Sequence, residues 1–257
     1  MQRTAPQSQR QKSGAPAVAA GELLALPPQT RQLCRLDPWD FRLGEPGCES
    51  LATAYWAARR MAMGYRTAGA MLTLAGATGV GKTHLALAIA WQWVERFQRE
   101  PWLFMTDKEM WKQLDEKQRW LQPWQRESRH YRWWRLSYPK DHGVRFARVG
   151  DLLDKLQRGY EDGSYYALLE ECQSCRFLVL DDLGHQRETP WRVEILDRIV
   201  DARYLNGLWT VVTTNLPGAQ LPPRIASRLR DRSTGFVAAI EVEDYRPIKG
   251  RNGRRPW

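Results

Sequence analysis

Met71 to Thr83 reads MLTLAGATGVGKT, and His84-Leu-Ala-Leu-Ala-Ile-Ala90 follows at once. The apolar run Met71 to Ala75 predicts a strand, the glycines a turn, and the alanine- and leucine-rich stretch a helix. The spacing G-x-x-x-x-G-K-T is that of a phosphate-binding loop. Gly76, Gly79 and Gly81 let backbone amides turn inward around a polyphosphate with no Cβ in the way. Lys82 offers a point charge to the outer phosphates, and Thr83 a hydroxyl to Mg²⁺. The new helix adds the positive end of its dipole. The expected binding set is Gly76, Thr78, Gly79, Val80, Gly81, Lys82, Thr83 and His84. A glycine-rich turn with an incidental lysine is the alternative, and the flanking strand and helix argue against it. The loop predicts a nucleoside triphosphate ligand.

Working outward, Arg176-Phe-Leu-Val-Leu-Asp181-Asp182 is the next strong signal. Its apolar run predicts a buried central strand of a parallel sheet, with two carboxylates at the end where such sheets place their ligands. Adjacent buried carboxylates are costly without a cation, and Mg²⁺ shared with Thr83 answers that cost. Asp181 is then expected to face the metal, directly or through water, and Asp182 to polarise the attacking water. Leu208 to Asn215 (LWTVVTTN) predicts another buried strand. Asn215 at its end is expected to orient the water or touch the γ-phosphate; a turn residue before Leu216-Pro217 is the alternative.

Strands are further expected at 101–106 and 236–240, with Val144 to Val149 a short strand or an extended lead-in. Helices are expected over 49–65, from the loop to about 98, from Asp151 as its cap to about 159, and over 165–171, 190–204 and 222–231. The alternation predicts an α/β fold. Residues 1–35 form a Gln/Ala/Pro/Ser-rich tail, expected to be disordered or partner-binding. Residues 246–257 form a basic tail.

The charge of +10 and pI near 9.7 point to a polyanionic partner. No apolar stretch approaches the roughly twenty residues that span a bilayer, and no apolar signal core opens the chain. A cytoplasmic location without membrane association is expected. Four cysteines, Cys34, Cys48, Cys172 and Cys175, are too few for a disulfide scaffold. Ordinary thiols are the expectation, with a zinc site around Cys172-Gln-Ser-Cys175 as the alternative.

GATGVGKTHLALAIA, FLVLDDLG, TVVTTN and RIASRLRD occur in that order. Together they resemble the DnaC/IstB branch of AAA+ ATPases, the replicative helicase loaders and transposition helper ATPases. LDPWDF and the helix before the loop resemble the family's lead-in. The resemblance covers 36–245 and implies a P-loop three-layer αβα sandwich on a mainly parallel five-stranded sheet, without a full helical lid. It implies binding and hydrolysis of ATP with Mg²⁺, Lys82, Asp182, Asn215 and Arg228 serving catalysis. Asn215 matches the family's sensor asparagine. Arg228 matches the arginine finger that completes a neighbour's site, with Arg224 its possible companion. A finger acts across an interface, so self-association is implied. The implied partners are single-stranded DNA and a replicative ring helicase, or duplex DNA and a transposase. A nucleic-acid-binding protein that does not hydrolyse is the remaining alternative.

Residues 107–143 are a polar, Trp-rich insert. Within it, Lys117 to Lys140 sets seven cations against Glu127 alone, interleaved with tryptophans and tyrosines. Cations that track phosphates and rings on which bases stack describe a single-strand binder. Arg126, Arg129, Arg132, Trp133, Trp134 and Arg135 are the candidate DNA contacts. In this family, extra helices between the second strand and its following helix help grip DNA, and the insert is expected in that interval. Tryptophans packed on the core with arginines facing water are the alternative.

Overall fold

A computed structural model describes residues 41, 43–64, 70–99, 143–184, 189–216 and 220–245, with backbone alone for 95–99. The elements run α1 (Glu49–Ala62), β1 (Met71–Gly76), α2 (Lys82–Arg99), β2 (Val144–Arg148), α3 (Val149–Asp162) and α4 (Tyr165–Ser174). They continue with β3 (Phe177–Leu183), α5 (Pro190–Leu205), β4 (Trp209–Thr214), α6 (Pro223–Arg230) and β5 (Gly235–Ile240).

Among the described residues five strands lie in the order β2-β3-β4-β1-β5, and every neighbouring pair is parallel, as the sequence leads one to expect. Side chains alternate across a strand, and β3 shows the result. Phe177 and Val179 enter one cluster with α1 and α2; Leu178 and Leu180 enter the other with α3, α4, α5 and α6. Both faces are therefore covered, which is why these strands read as continuous apolar runs.

Leu51, Ala54, Ala58, Met61 and Ala62 bury one stripe of α1, as its periodicity predicts. α2 is buried continuously from Leu85 to Trp91, more than one face, because it packs between the sheet and α1. In α5, Ile195, Leu196, Ile199 and Val200 are buried and Val193 is half-buried.

α3 starts at Val149 rather than at a cap on Asp151. Arg148 holds the cap position without a side-chain bond, and Asp151 sits in the first turn, where its charge complements the helix dipole. The helix passes through Gly159, where the Tyr165 backbone leaves no room for a Cβ, and ends at left-handed Gly163.

Val144–Arg148 is a strand, paired with β3 from Val144↔Phe177 to Arg148↔Asp181, and runs directly into α3. The insert precedes this strand in the chain. The strand expected at 101–106 and all of the insert but Gly143 lie outside the described residues, as do both tails.

Candidate nucleotide site

The loop leaves β1 at Gly76 and enters α2 at Lys82, beside the sheet's central strands. Gly79 and Gly81 adopt left-handed backbone, φ 81° and 97°, that glycine alone reaches without strain. A Cβ at Gly76 would meet the Ile240 carbonyl, and one at Gly79 the Asp244 carboxylate. Asp244 belongs to the stretch after β5, which returns over the loop. There Glu241 N donates to Ser50 Oγ at 2.9 Å and Tyr245 N to the Gly79 carbonyl at 3.3 Å. Lys82 Nζ arches back to the carbonyls of Gly76 and Ala77 at 2.9 and 2.6 Å, which keeps its charge over the loop. Phe41, the last residue of LDPWDF, lies on His84 with ring centroids 4.7 Å apart. Phe41 thus packs at the start of α2, beside the loop.

Thr83 Oγ1 donates to Asp181 Oδ1 at 2.8 Å, and Thr213 Oγ1 to the same oxygen at 2.7 Å. Thr213 Oγ1 also accepts the Asp182 amide at 2.8 Å. One threonine of β4 therefore fixes both carboxylate residues of β3. The β3–β4 register slips between Leu180 and Leu183, and Asp182 at the slip has φ 65°. A non-glycine residue held there is strained by about 1 kcal/mol or more. The irregularity turns the half-buried Asp182 away from the regular pleat at the strand's C-terminal end. Asp181 is 3% exposed, and burial pushes its carboxyl above the ordinary range while the two hydroxyl donors pull it down.

Clustered hard oxygens on a buried carboxylate and a hydroxyl suit Mg²⁺, which takes few protein ligands and fills its remaining positions with water and phosphate. Among the described residues no three His, Cys, Asp or Glu side chains form a protein-only metal cage, and a nucleotide-linked Mg²⁺ needs none. Thr83 and Asp181 are the residues that would hold it. Asn215 follows β4 directly and is half-buried; Thr214 beside it is fixed by a hydroxyl bond to the Leu183 carbonyl at 2.7 Å.

Lys82, Thr83, Asp181 and Asp182 thus converge at the C-terminal ends of β1 and β3. Arg228 stands apart from them. Its Nε donates to Asp201 Oδ1 of α5 at 2.8 Å, and its guanidinium lies 4.7 Å over the Tyr204 ring. Arg224 Nη1 lies 3.0 Å from Asp197 Oδ2. The candidate DNA contacts from Arg126 to Arg135 lie outside the described residues.

Sequence reasoning missed Thr213, Asp201 and Tyr204, and also Arg203, which is fully buried. Arg203 donates to Thr210 Oγ1 and to the carbonyls of Cys172, Cys175 and Trp209 at 2.7–2.9 Å. It ties the last turn of α4 to the start of β4. Its Nη1 lies 3.4 Å from Cys175 Sγ, and burial pushes the thiols of Cys172 and Cys175 up, that of Cys172 to about 12. Cys172 is buried and Cys175 half-buried, and both read as structural thiols. No described helix is long and apolar enough to cross a membrane.

Residues 140–227 match the family described as IstB-like ATP binding protein. A putative ATP-binding protein in an insertion sequence of Mycobacterium tuberculosis (strain ATCC 25618 / H37Rv) is 29% identical over 118 residues, 43% of this chain and 47% of that protein. The uncharacterized protein YdaV of Escherichia coli (strain K12) is 34% identical over 103 residues, 38% of this chain and 42% of that protein. The chain thus matches less than half the length of either relative. Among solved structures, the DnaC helicase loader superposes with a TM-score of 0.52 at 21% identity, over 78% of this chain and 95% of that one. DnaI gives 0.54 at 20% identity, over 82% and 94%. AMPPCP-bound DnaA from Aquifex aeolicus gives 0.52 at 16% identity, over 79% and 51%. These likenesses show the fold: a parallel five-stranded sheet covered by helices, shared with those solved structures. With its phosphate loop and acidic strand end, the chain is similar over residues 140–227 to the IstB-like ATP-binding family, and in fold to DnaC and DnaI.

Proposed function

We propose that this protein hydrolyses ATP, with Mg²⁺, to switch its own assembly on single-stranded DNA and so load a ring helicase. The observation that carries the hydrolytic reading is the Thr83–Asp181–Thr213–Asp182 cluster beside the lysine loop. A site built only to hold nucleotide has no need of a second, strained carboxylate at the strand end. Mg²⁺, when bound, neutralises charge on the outer phosphates. The chain's own residues do the rest. The loop amides and Lys82 bind the phosphates, and Thr83 and Asp181 orient the cation's water shell. Asp182 aligns the attacking water and draws off its proton, and Asn215 holds that water or the γ-phosphate. Arg228 of a neighbouring subunit balances the charge that develops on the transferred group. Trp133, Trp134 and the arginines around them are proposed to stack and track single-stranded DNA. A cytoplasmic location is proposed with this role.

A second reading, a transposition helper that binds duplex DNA and a transposase, is favoured by one observation. The IstB-like match and the relative within an insertion sequence both point toward mobile elements.

The test measures ATP turnover with single-stranded and with duplex DNA, wild type beside Asp182→Asn, and ATP-dependent capture of a purified ring helicase or transposase. Turnover lost in the variant, stimulation by single strands and capture of the helicase support the first reading. Stimulation by duplex and capture of the transposase replace it with the second. Turnover unchanged in Asp182→Asn removes the hydrolytic assignment. Trp133→Ala with Trp134→Ala should weaken single-strand binding; intact binding would remove the insert from the interface.

A further inference from the structure

Three arginines near the C-terminal half of the fold are engaged in three ways. Arg203 spends Nε, Nη1 and Nη2 on internal acceptors and is fully buried. Arg224 sets a terminal nitrogen, Nη1, against Asp197, with its side chain 72% exposed. Arg228 alone is held by its stem: Nε donates to Asp201 Oδ1, and the flat face rests on Tyr204. Among the described residues no hydrogen bond uses its Nη1 or Nη2. Its side chain is 32% exposed, so the bidentate end of the guanidinium can be offered outward in a fixed plane.

The support beneath it is itself fixed. Asp197, Asp201 and Tyr204 recur at i, i+4 and i+7 on α5, and Arg224, Arg228 and Asp231 repeat that spacing from α6 into its cap. The Tyr204 hydroxyl donates to Asp231 Oδ2 at 2.5 Å, and Asp231 Oδ1 accepts from the amide and hydroxyl of Ser233. The ring under the guanidinium therefore cannot turn without breaking the α6 cap. An arginine that reached a neighbour's phosphates from a free stem would lose its side-chain entropy at every encounter; one clamped at Nε and stacked has lost it already.

We infer that Asp201 and Tyr204 are the positioning residues of Arg228, holding its stem and face so that Nη1 and Nη2 are presented to the γ-phosphate bound by a second copy of this chain. The inference rests on the proposed role of Arg228 as a finger acting between subunits. It also separates the two candidate arginines: Arg224 spends a terminal nitrogen within its own chain and is not the finger.

The experiment mixes two inactive proteins. Arg228→Ala retains a nucleotide site and lacks a finger; Lys82→Ala retains the finger and lacks a working site. Their mixture should turn over ATP above the sum of the parts. Adding Asp201→Asn to the Lys82→Ala partner, which donates the finger, should cut that gain by about tenfold or more, a modest part of what a finger contributes. Adding it to the Arg228→Ala partner should leave the gain within about twofold, since its effect on the fold is the same on either side while no finger needs positioning there. Tyr204→Leu should show the same asymmetry, and Asp201→Glu in the finger donor should return part of the gain. Equal losses on both sides, or no loss on either, would overturn the positioning role. Absence of any gain in the parent mixture would overturn the finger reading itself, and the inference with it.

Discussion

Thr83 Oγ1 donates to Asp181 Oδ1 at 2.8 Å, joining the first turn after the phosphate loop to a strand end 98 residues later. The parallel sheet makes this junction. β1 and β3 both deliver their C-terminal ends to one edge, with β4 between them to supply Thr213 to the same oxygen.

Asp182→Asn should retain ATP binding within a few-fold and reduce turnover by about 10²–10⁴-fold, the contribution of a positioned general base. A fluorescent nucleotide titration beside a phosphate-release assay checks both parts. The amide keeps the shape and loses the proton acceptor, so a loss of binding would instead assign Asp182 to the ground state.

Thr213→Val should lower stability by about 1–3 kcal/mol, because the buried Asp181 carboxylate loses a donor and the Asp182 amide its acceptor. Turnover should fall with it. Urea unfolding reads the first effect, and Thr213→Ser, which keeps the hydroxyl, should recover most of both. Full stability in the valine variant would show that the hydroxyl orders nothing.

Arg203→Met should destabilise the fold by about 3 kcal/mol, since three carbonyls and the Thr210 hydroxyl lose their donor inside the core. Arg203→Lys should recover little, because an ammonium cannot reach the same set in one plane. Denaturant midpoints compared across the two variants provide the check.

Cys172 should resist iodoacetamide at pH 8 in the folded protein and react quickly once the chain is unfolded. Its folded pKa is raised to about 12 by burial from an ordinary 9.0, so the folded state keeps the proton longer. The contribution of this thiol to stability is therefore full below pH 9 and is lost as pH rises toward 12. Rapid labelling of Cys172 at pH 8 in native buffer would contradict the burial that sets the shift.

The loop and the Asp181 strand were legible because their physics leaves little choice. Glycines at these spacings before a lysine, and apolar runs ending in paired acids, serve few other purposes. Thr213 was hidden because threonine is an ordinary strand former, and nothing in TVVTTN marks which hydroxyl turns toward a carboxylate. Its charge hides Arg203, yet Leu196, Ile199, Val200 and Arg203 occupy i, i+3, i+4 and i+7, so its place on the buried face is in the periodicity. The matched i, i+4 spacings of Asp197/Asp201 and Arg224/Arg228 were likewise visible, but which helices pair is decided by the tertiary fold. Val144–Arg148 reads ambiguously because a five-residue run with two arginines is weak by composition; pairing with β3 makes it a strand.

The central claim, a hydrolytic site completed by a neighbouring subunit, is tested most directly by ATP turnover per subunit measured across a wide range of protein concentration. Turnover per subunit should climb steeply as subunits associate and be negligible at dilution. Turnover per subunit that stays constant from the lowest concentration to the highest would contradict it.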